Sequence, residues 1–163
     1  LDVPLAHYYL GFSYLFMDNV RQAQEAFASV PKEHHLYETS SSIEKELAAF
    51  PKEEKSKLTA GMLSMIPGAG QIYTEHYSEA LLSFFVNTFF GFLSYDYFRK
   101  AQEIPAYGYT NFVVFTSIGL SFYSANIYGA ALSTKRYNER EKLHLRERII
   151  QLNDENSEGI TFP

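Results

Sequence analysis

The residues able to do chemistry are few, and their spacing does not bring them together. The five histidines are His7, His34, His35, His76 and His144. None belongs to an H-E-x-x-H pair, and none has an acidic partner at a metal-ligand spacing. His34-His35 lies in a polar stretch and reads as solvated. Gly68-Ala69-Gly70 lacks the third glycine and the preceding strand of a phosphate-cradling loop. Asp154, Asn156, Glu158 and Gly159 match the first half of a calcium loop. The closing glutamate would fall beyond Pro163, and Thr161 stands where an apolar residue belongs. The Ser40–Ser42 run has no base to activate a hydroxyl. Cysteine is absent, which removes disulfides, thiolate metal sites and cysteine nucleophiles. The expectation is a chain that is not an enzyme, with no catalytic residue, no metal and no cofactor. Glu75-His76 is the one polar pair worth testing at the edge of the apolar region, and it reads as an interfacial rim.

The remaining polar residues of interest sit in apolar surroundings, which turns attention to the elements around them. Three runs lack any charged side chain: 58–74, 80–95 and 104–134. The flanks carry nearly all the charge, so the mean hydropathy of −0.21 conceals a segregated chain. A soluble helix needs only one apolar stripe, whereas these runs are apolar on most faces, as membrane segments are. Aromatic residues make up 17% of the chain, all Phe and Tyr. A net charge of −5 excludes the clustered basic face that nucleic-acid binding needs.

These patterns predict an all-α chain: a short tetratricopeptide-like helical hairpin, then a membrane helical hairpin with a re-entrant, broken segment. The first part spans residues 1–50. There Leu10, Gly11, Tyr14, Ala23 and Phe27 follow the L-G-x2-Y…A-x3-F spacing, with Asp18-Asn19 at the turn and Pro31 closing the unit. A generic amphipathic hairpin would share much of that pattern. One such unit cannot bury its own face, so further repeats are expected upstream of Leu1. Ser41 and Glu44 form an S-x-x-E capping box before Ile43, Leu47 and Phe50, with Pro51 ending that helix.

The membrane part spans 51–134. Segment 58–74 is interrupted at Pro67, Gly68 and Gly70 and is too short to cross before the break. Spans are expected at 78–98 and 109–132, joined by a polar turn with Arg99, Lys100, Glu103 and Pro105. Residues 135–163 form a charged helix and polar tail. Gln71, Asn87 and Asn126 are intramembrane polar groups; Asn87 and Asn126 are each expected to hydrogen-bond to the neighbouring helix or to the Pro-Gly turn, and in the alternative all three line a pathway. Ser117, Ser121, Ala125 and Gly129, continued by Ser133, recur every four residues. This small-residue ladder is expected to face the first span or the Pro67 segment, with Phe115 and Phe122 pointing elsewhere. Tyr95, Tyr97, Tyr107 and Tyr109 mark one end of the hairpin, and Tyr73, Tyr77, Tyr128 and Tyr137 the other, as an aromatic belt does. Lys52, Lys55 and Lys57 before the hairpin, and Lys135, Arg136, Arg140, Lys142, Arg146 and Arg148 after it, place both ends in the cytoplasm.

Two stretches carry a family resemblance: GMLSMIPGAGQIY at 61–73 and FYSANIYGAALSTKRYN at 122–138. With the repeat-like start, they resemble a little-characterised group of bacterial membrane proteins. In that group a tetratricopeptide-like region precedes a P-G-x-G-Q-x-Y element and a later F-Y-x-x-N-x-x-G-A-x(6)-Y-N element. The resemblance covers about residues 5–150. Thr74-Glu75-His76-Tyr77 departs from it where a glycine often follows the motif tyrosine. Some members occur beside, or fused to, a small factor linked to membrane-protein insertion, which implies envelope biogenesis by association. The group brings no accepted enzymatic activity. The resulting expectation is a non-enzymatic scaffold in the bacterial inner membrane that binds protein partners, of unknown identity, through its repeat segment, as a possible oligomer or complex subunit. A small channel, transporter or insertase-accessory subunit is the alternative, and a soluble helical bundle a third reading.

Overall fold

The computed structural model describes residues 2–50, 54–104, 106 and 108–156. Pro51, Lys52, Pro105, Tyr107, Glu158, Gly159 and Thr161, named above, lie outside the described residues. The described residues are helical throughout, with no strand: α1 (Val3–Phe16), α2 (Val20–Ala28), α3 (Tyr37–Ala49), α4 (Lys57–Leu63), α5 (Ala69–Tyr73), α6 (Tyr77–Glu103) and α7 (Thr110–Asn156). They form two compact units, Leu1–Glu53 with Glu139–Pro163, and Glu54–Asn138. Residues 139–156 are therefore not a segment apart, as the charge pattern suggests, but belong to the unit of the N-terminal helices. The stretch expected as the second span and the charged stretch after it are also one uninterrupted helix, α7, whose sequence offers no Pro or Gly between Gly129 and Asn156 to end it.

In the first unit, Asp2 caps α1 by accepting the Leu5 backbone N–H, and Asn19 caps α2 from Gln22. Asp18 adopts a φ of 60° at the turn, a conformation Asp tolerates. Tyr8, Phe12, Leu15, Phe27, Ile43 and Leu47 close on Leu145 and Ile149 in one large-residue core. A Cβ on Gly11 would lie 2.7 Å from the Phe27 ring, so this glycine lets α1 and α2 approach. Ala23 is fully buried and Tyr14 packs at the core's edge. Leu10 is a correction: it is 41% exposed, because the buried face of α1 follows Tyr8, Gly11, Phe12 and Leu15 and Leu10 falls off it. The capping box also fails. Helix α3 begins at Tyr37, four residues before Ser41, with Leu36 at its N-terminus and no side-chain cap.

The second unit is built the other way round. Its buried residues are small or polar: Ala60, Ser64, Gln71, Thr74, Ala80, Asn126, Ala130, Ser133 and Thr134. Its large apolar residues point outward, among them Leu82 at 66% exposure, Phe85 at 60% and Phe92 at 65%. Helices α6 and α7 run antiparallel in a fixed register. The series Glu79, Phe90, Tyr97 along α6 is matched residue for residue by Ser133, Phe122, Phe115 back along α7. The first pair is a hydrogen bond, and the two ring pairs are stacked at 5.3 and 5.1 Å. Among the described residues, no helix is long and apolar enough to cross a membrane.

Candidate functional site

The break in the first apolar run forms because Gly68 takes a φ of 89°, open to glycine alone at low cost. A Cβ there would also meet the Ala80 carbonyl oxygen at 2.5 Å. The turn ends α4 and starts α5, so that the Gly68 N–H points at α7. It donates to Asn126 Oδ1 at 3.2 Å. Asn126 Nδ2 donates to the Ser64 carbonyl at 2.9 Å. Gln71 Nε2 donates to the Asn126 backbone carbonyl at 3.1 Å and to its Oδ1 at 3.2 Å. One carboxamide, 4% exposed, thus satisfies backbone groups on both sides of the break. Tyr123 adds a bond from its hydroxyl to the Met65 carbonyl at 3.0 Å. Gly70 is essential to the approach: a Cβ would collide with Ser64 Oγ and the Ala60 carbonyl, and sit 2.7 Å from Ala130 Cβ.

The two stretches behind the family resemblance therefore meet in space. Gly68, Gly70 and Gln71 from one close on Tyr123, Asn126 and Ala130 from the other. Asn138, at the end of the second stretch, is bound by Lys55, which precedes the first. The Lys55 backbone N–H donates to Asn138 Oδ1 and its carbonyl accepts from Asn138 Nδ2, both at 3.0 Å. The Lys55 ammonium lies 3.0 Å from Glu75 Oε1 and 3.6 Å from the centre of the Tyr137 ring. Burial pulls the Lys55 pKa down, but the Glu75 carboxylate and Tyr137 outweigh it and hold the ammonium above its ordinary value. Glu79 Oε2 accepts from Ser133 Oγ and Arg136, each at 2.9 Å.

Asn87 does not join this node. It is half-buried and donates to the Ser83 carbonyl of its own helix at 2.8 Å. Ser117, Ser121 and Ala125 are exposed rather than between helices, and Gly129 is half-buried, where a Cβ would lie 3.6 Å from Gln71 Nε2. Phe115 and Phe122, expected to point away, stack on α6. The ladder expectation thus fails at Ser117, Ser121 and Ala125 and holds only at its Gly129–Ser133 end. The side of α7 that meets the other helices runs instead through Gly119, Tyr123, Asn126, Ala130 and Ser133, at alternating spacings of three and four. Sequence reasoning also missed Ser64, Glu79 and the role of Lys55. The S-x(2)-P-G spacing was a signal for Ser64, and the Tyr137-Asn138 pair for the Lys55 contact.

The groups of the node are amides and hydroxyls, and most of their bonds go to backbone. The described residues hold no cluster of three or more His, Cys, Asp or Glu able to bind a metal ion. His76 Nδ1 donates locally to the Thr74 carbonyl at 2.7 Å, and Glu75 turns to Lys55. Comparison with family models, with curated proteins and with solved structures finds no match.

Proposed function

We propose that the chain is a non-enzymatic membrane scaffold. Residues 54–138 dock in the bacterial inner membrane as a hairpin with a re-entrant break, and the tetratricopeptide-like unit binds a protein partner, in envelope or membrane-protein biogenesis. The observation that carries this is the inverted packing of residues 54–138, with small and polar groups inside and Phe, Leu, Met and Ile outside. In water such an exposed belt would be far larger than monomers tolerate. In lipid, van der Waals contact between small residues and buried hydrogen bonds hold helices together instead. The dilution of hydropathy by serine and asparagine costs less than an average suggests. Asn87, Ser94, Ser117, Ser121 and Ser124 each donate to a carbonyl of their own helix, so few donors face acyl chains unpaired.

On the first unit, Tyr9, Leu10, Phe16 and Met17 leave an apolar stripe exposed along α1, which supports a protein contact there. The pathway reading is weaker, because Gln71 and Asn126 commit their donors to each other and to backbone, and Asn87 stands apart. The test is fractionation of the full chain from bacteria. The protein should stay with membranes after alkaline carbonate and leave only in detergent. Recovery of monodisperse protein from cytosol without detergent would refute the reading.

A further inference from the structure

Resting on that membrane reading, we infer that the hairpin is matched to a hydrocarbon layer thinner than an ordinary bilayer's, and that in an ordinary bilayer it thins the lipid around it. The boundaries come from charge. On one side, Glu79 is fixed to Ser133 and Arg136 by bonds of 2.9 Å. On the other, Asp96 pairs with Lys100 at 2.7 Å, and Arg99 pairs with Glu103. Between Glu79 and Asp96, residues 80–95 carry no charge. At about 1.5 Å per residue this band is about 24 Å tall, against about 30 Å for a typical hydrocarbon core.

Helix α7 itself carries no charge from Thr110 to Thr134, so it takes its boundaries from α6. The antiparallel register sets Ser133 level with Glu79 and places Asp96 one residue from the level of Phe115. From there to Ser133 is again on the order of 26 Å. Tyr95, Tyr97 and Tyr109 crowd the Asp96 boundary, and Tyr73, Tyr77 and Tyr137 the Glu79 boundary, where amphipathic rings sit at headgroup depth.

A bilayer suits this surface better than a second copy does. Leu81, Leu82, Phe84, Phe85, Phe89 and Phe92 spread over nearly half the circumference of α6. Ile118, Leu120, Phe122, Tyr128 and Leu132 do the same on α7. A flat interface would cover only part of that wrapping belt. Both rims also carry paired charges of both signs, as zwitterionic headgroups do. A short hydrophobic segment is accommodated by thinning the bilayer, at fractions of a kcal/mol per Å of mismatch.

The experiment reconstitutes the full chain into phosphatidylcholine vesicles with monounsaturated chains of 14, 16, 18, 20 or 22 carbons. The readout is the carbonate-resistant, helical fraction that floats with the vesicles. It should peak at 14–16 carbons and fall several-fold by 22. The double variant Asp96→Leu with Lys100→Leu lengthens the uncharged run and should move the peak toward longer chains. A wild-type peak at 18 carbons or longer, or a variant peak that does not move, overturns the inference while leaving the membrane reading intact. Failure to incorporate at any chain length, or recovery as a detergent-free oligomer with the belt covered by a second copy, overturns both.

Discussion

Gly70 offers the sharpest test of how α5 is held, because two effects there pull in opposite directions. Alanine is a better helix former than glycine by about 0.8–1 kcal/mol, so propensity alone makes Gly70→Ala stabilising. Against this, the added methyl would collide with Ser64 Oγ and the Ala60 carbonyl and approach Ala130 Cβ to 2.7 Å. Ser64 can rotate away. The Ala60 carbonyl is backbone inside α4, and Ala130 is fixed on α7, so helices must move. Overpacking of this kind costs about 1–3 kcal/mol, which outweighs propensity in most of that range. With backbone as the obstacle the upper part of that range applies, so the net cost is about 1–2 kcal/mol and the fall in melting temperature roughly 4–16 °C for a unit of this size. Gly91→Ala is the matched control. It lies in the same apolar region, inside α6, and a Cβ there meets nothing within 4 Å. It should raise the melting temperature by a few degrees. Adding Ser64→Ala to Gly70→Ala should recover only part of the loss, since the Ala60 and Ala130 contacts remain. The assay is thermal unfolding of the full chain in mild detergent, followed by circular dichroism at a helix wavelength. If Gly70→Ala melts within a degree of wild type, or Gly91→Ala is the worse of the two, the close approach of α4, α5 and α7 is wrong.

Asn126→Leu should cost about 2–4 kcal/mol, since it strands the Gly68 N–H, the Ser64 carbonyl and a Gln71 donor, while Asn87→Leu should stay within about 0.5 kcal/mol. Equal effects in detergent unfolding would contradict the node. Ala125→Leu, on the exposed side of α7, should be tolerated, and Ala130→Leu, fully buried, should lower the yield of folded protein. The reverse pattern would restore the four-residue ladder. Tyr8→Phe should destabilise the first unit by about 1–3 kcal/mol, because it removes the buried bond from the Tyr8 hydroxyl to Asn153 Oδ1. An unchanged melting curve would show that bond to be idle. For pH, a lysine pKa raised on folding contributes stability that is complete below the unfolded value and is lost as pH rises through the folded one. Lys55 should therefore contribute constantly through neutral pH and lose its contribution only above its model-compound value of 10.5. Lys55→Met should flatten that alkaline loss, and an equally steep loss in the variant would assign it to other groups.

Local signals in the sequence were read well where one residue type has one physical use. The break at Pro67, Gly68 and Gly70, the turn at Asp18-Asn19, and the contact of Gly11 with Phe27 depend on backbone freedom or the lack of a side chain. Each is legible without knowing the partner. Asn126 was identified as a polar group needing a partner, and the break proved to be that partner. What could not be read were boundaries set by continuity and by distance. The start of α3 at Tyr37 has no side-chain cap to announce it. The change from uncharged to charged residues near Ser133 looks like an end, yet a helix backbone is indifferent to side-chain charge. Lys55 and Asn138 are far apart in sequence, and their mutual backbone bonds follow only from the fold.

The failure of the ladder has a geometric cause that can be worked out. Residues four apart on a helix of 3.6 residues per turn differ in direction by about 40°, because each residue advances about 100°. Ser133 is fully buried beside Glu79, so that end of the stripe does meet α6. Counting back through Gly129, Ala125 and Ser121 to Ser117, four steps rotate the direction by about 160°. The stripe must therefore leave the contact and finish nearly opposite it. The gradation follows that rotation: Ser133 buried, Gly129 half-buried, and Ala125, Ser121 and Ser117 exposed. A contact along a whole helix needs steps of three and four in alternation, which hold direction to within about 20° per heptad. Gly119, Tyr123, Asn126, Ala130 and Ser133 step by four, three, four and three. That series contains a tyrosine and an asparagine, so a search for small residues alone passes over it. The geometry of the partner's approach, not the size of the side chains, selects the face of α7 that packs.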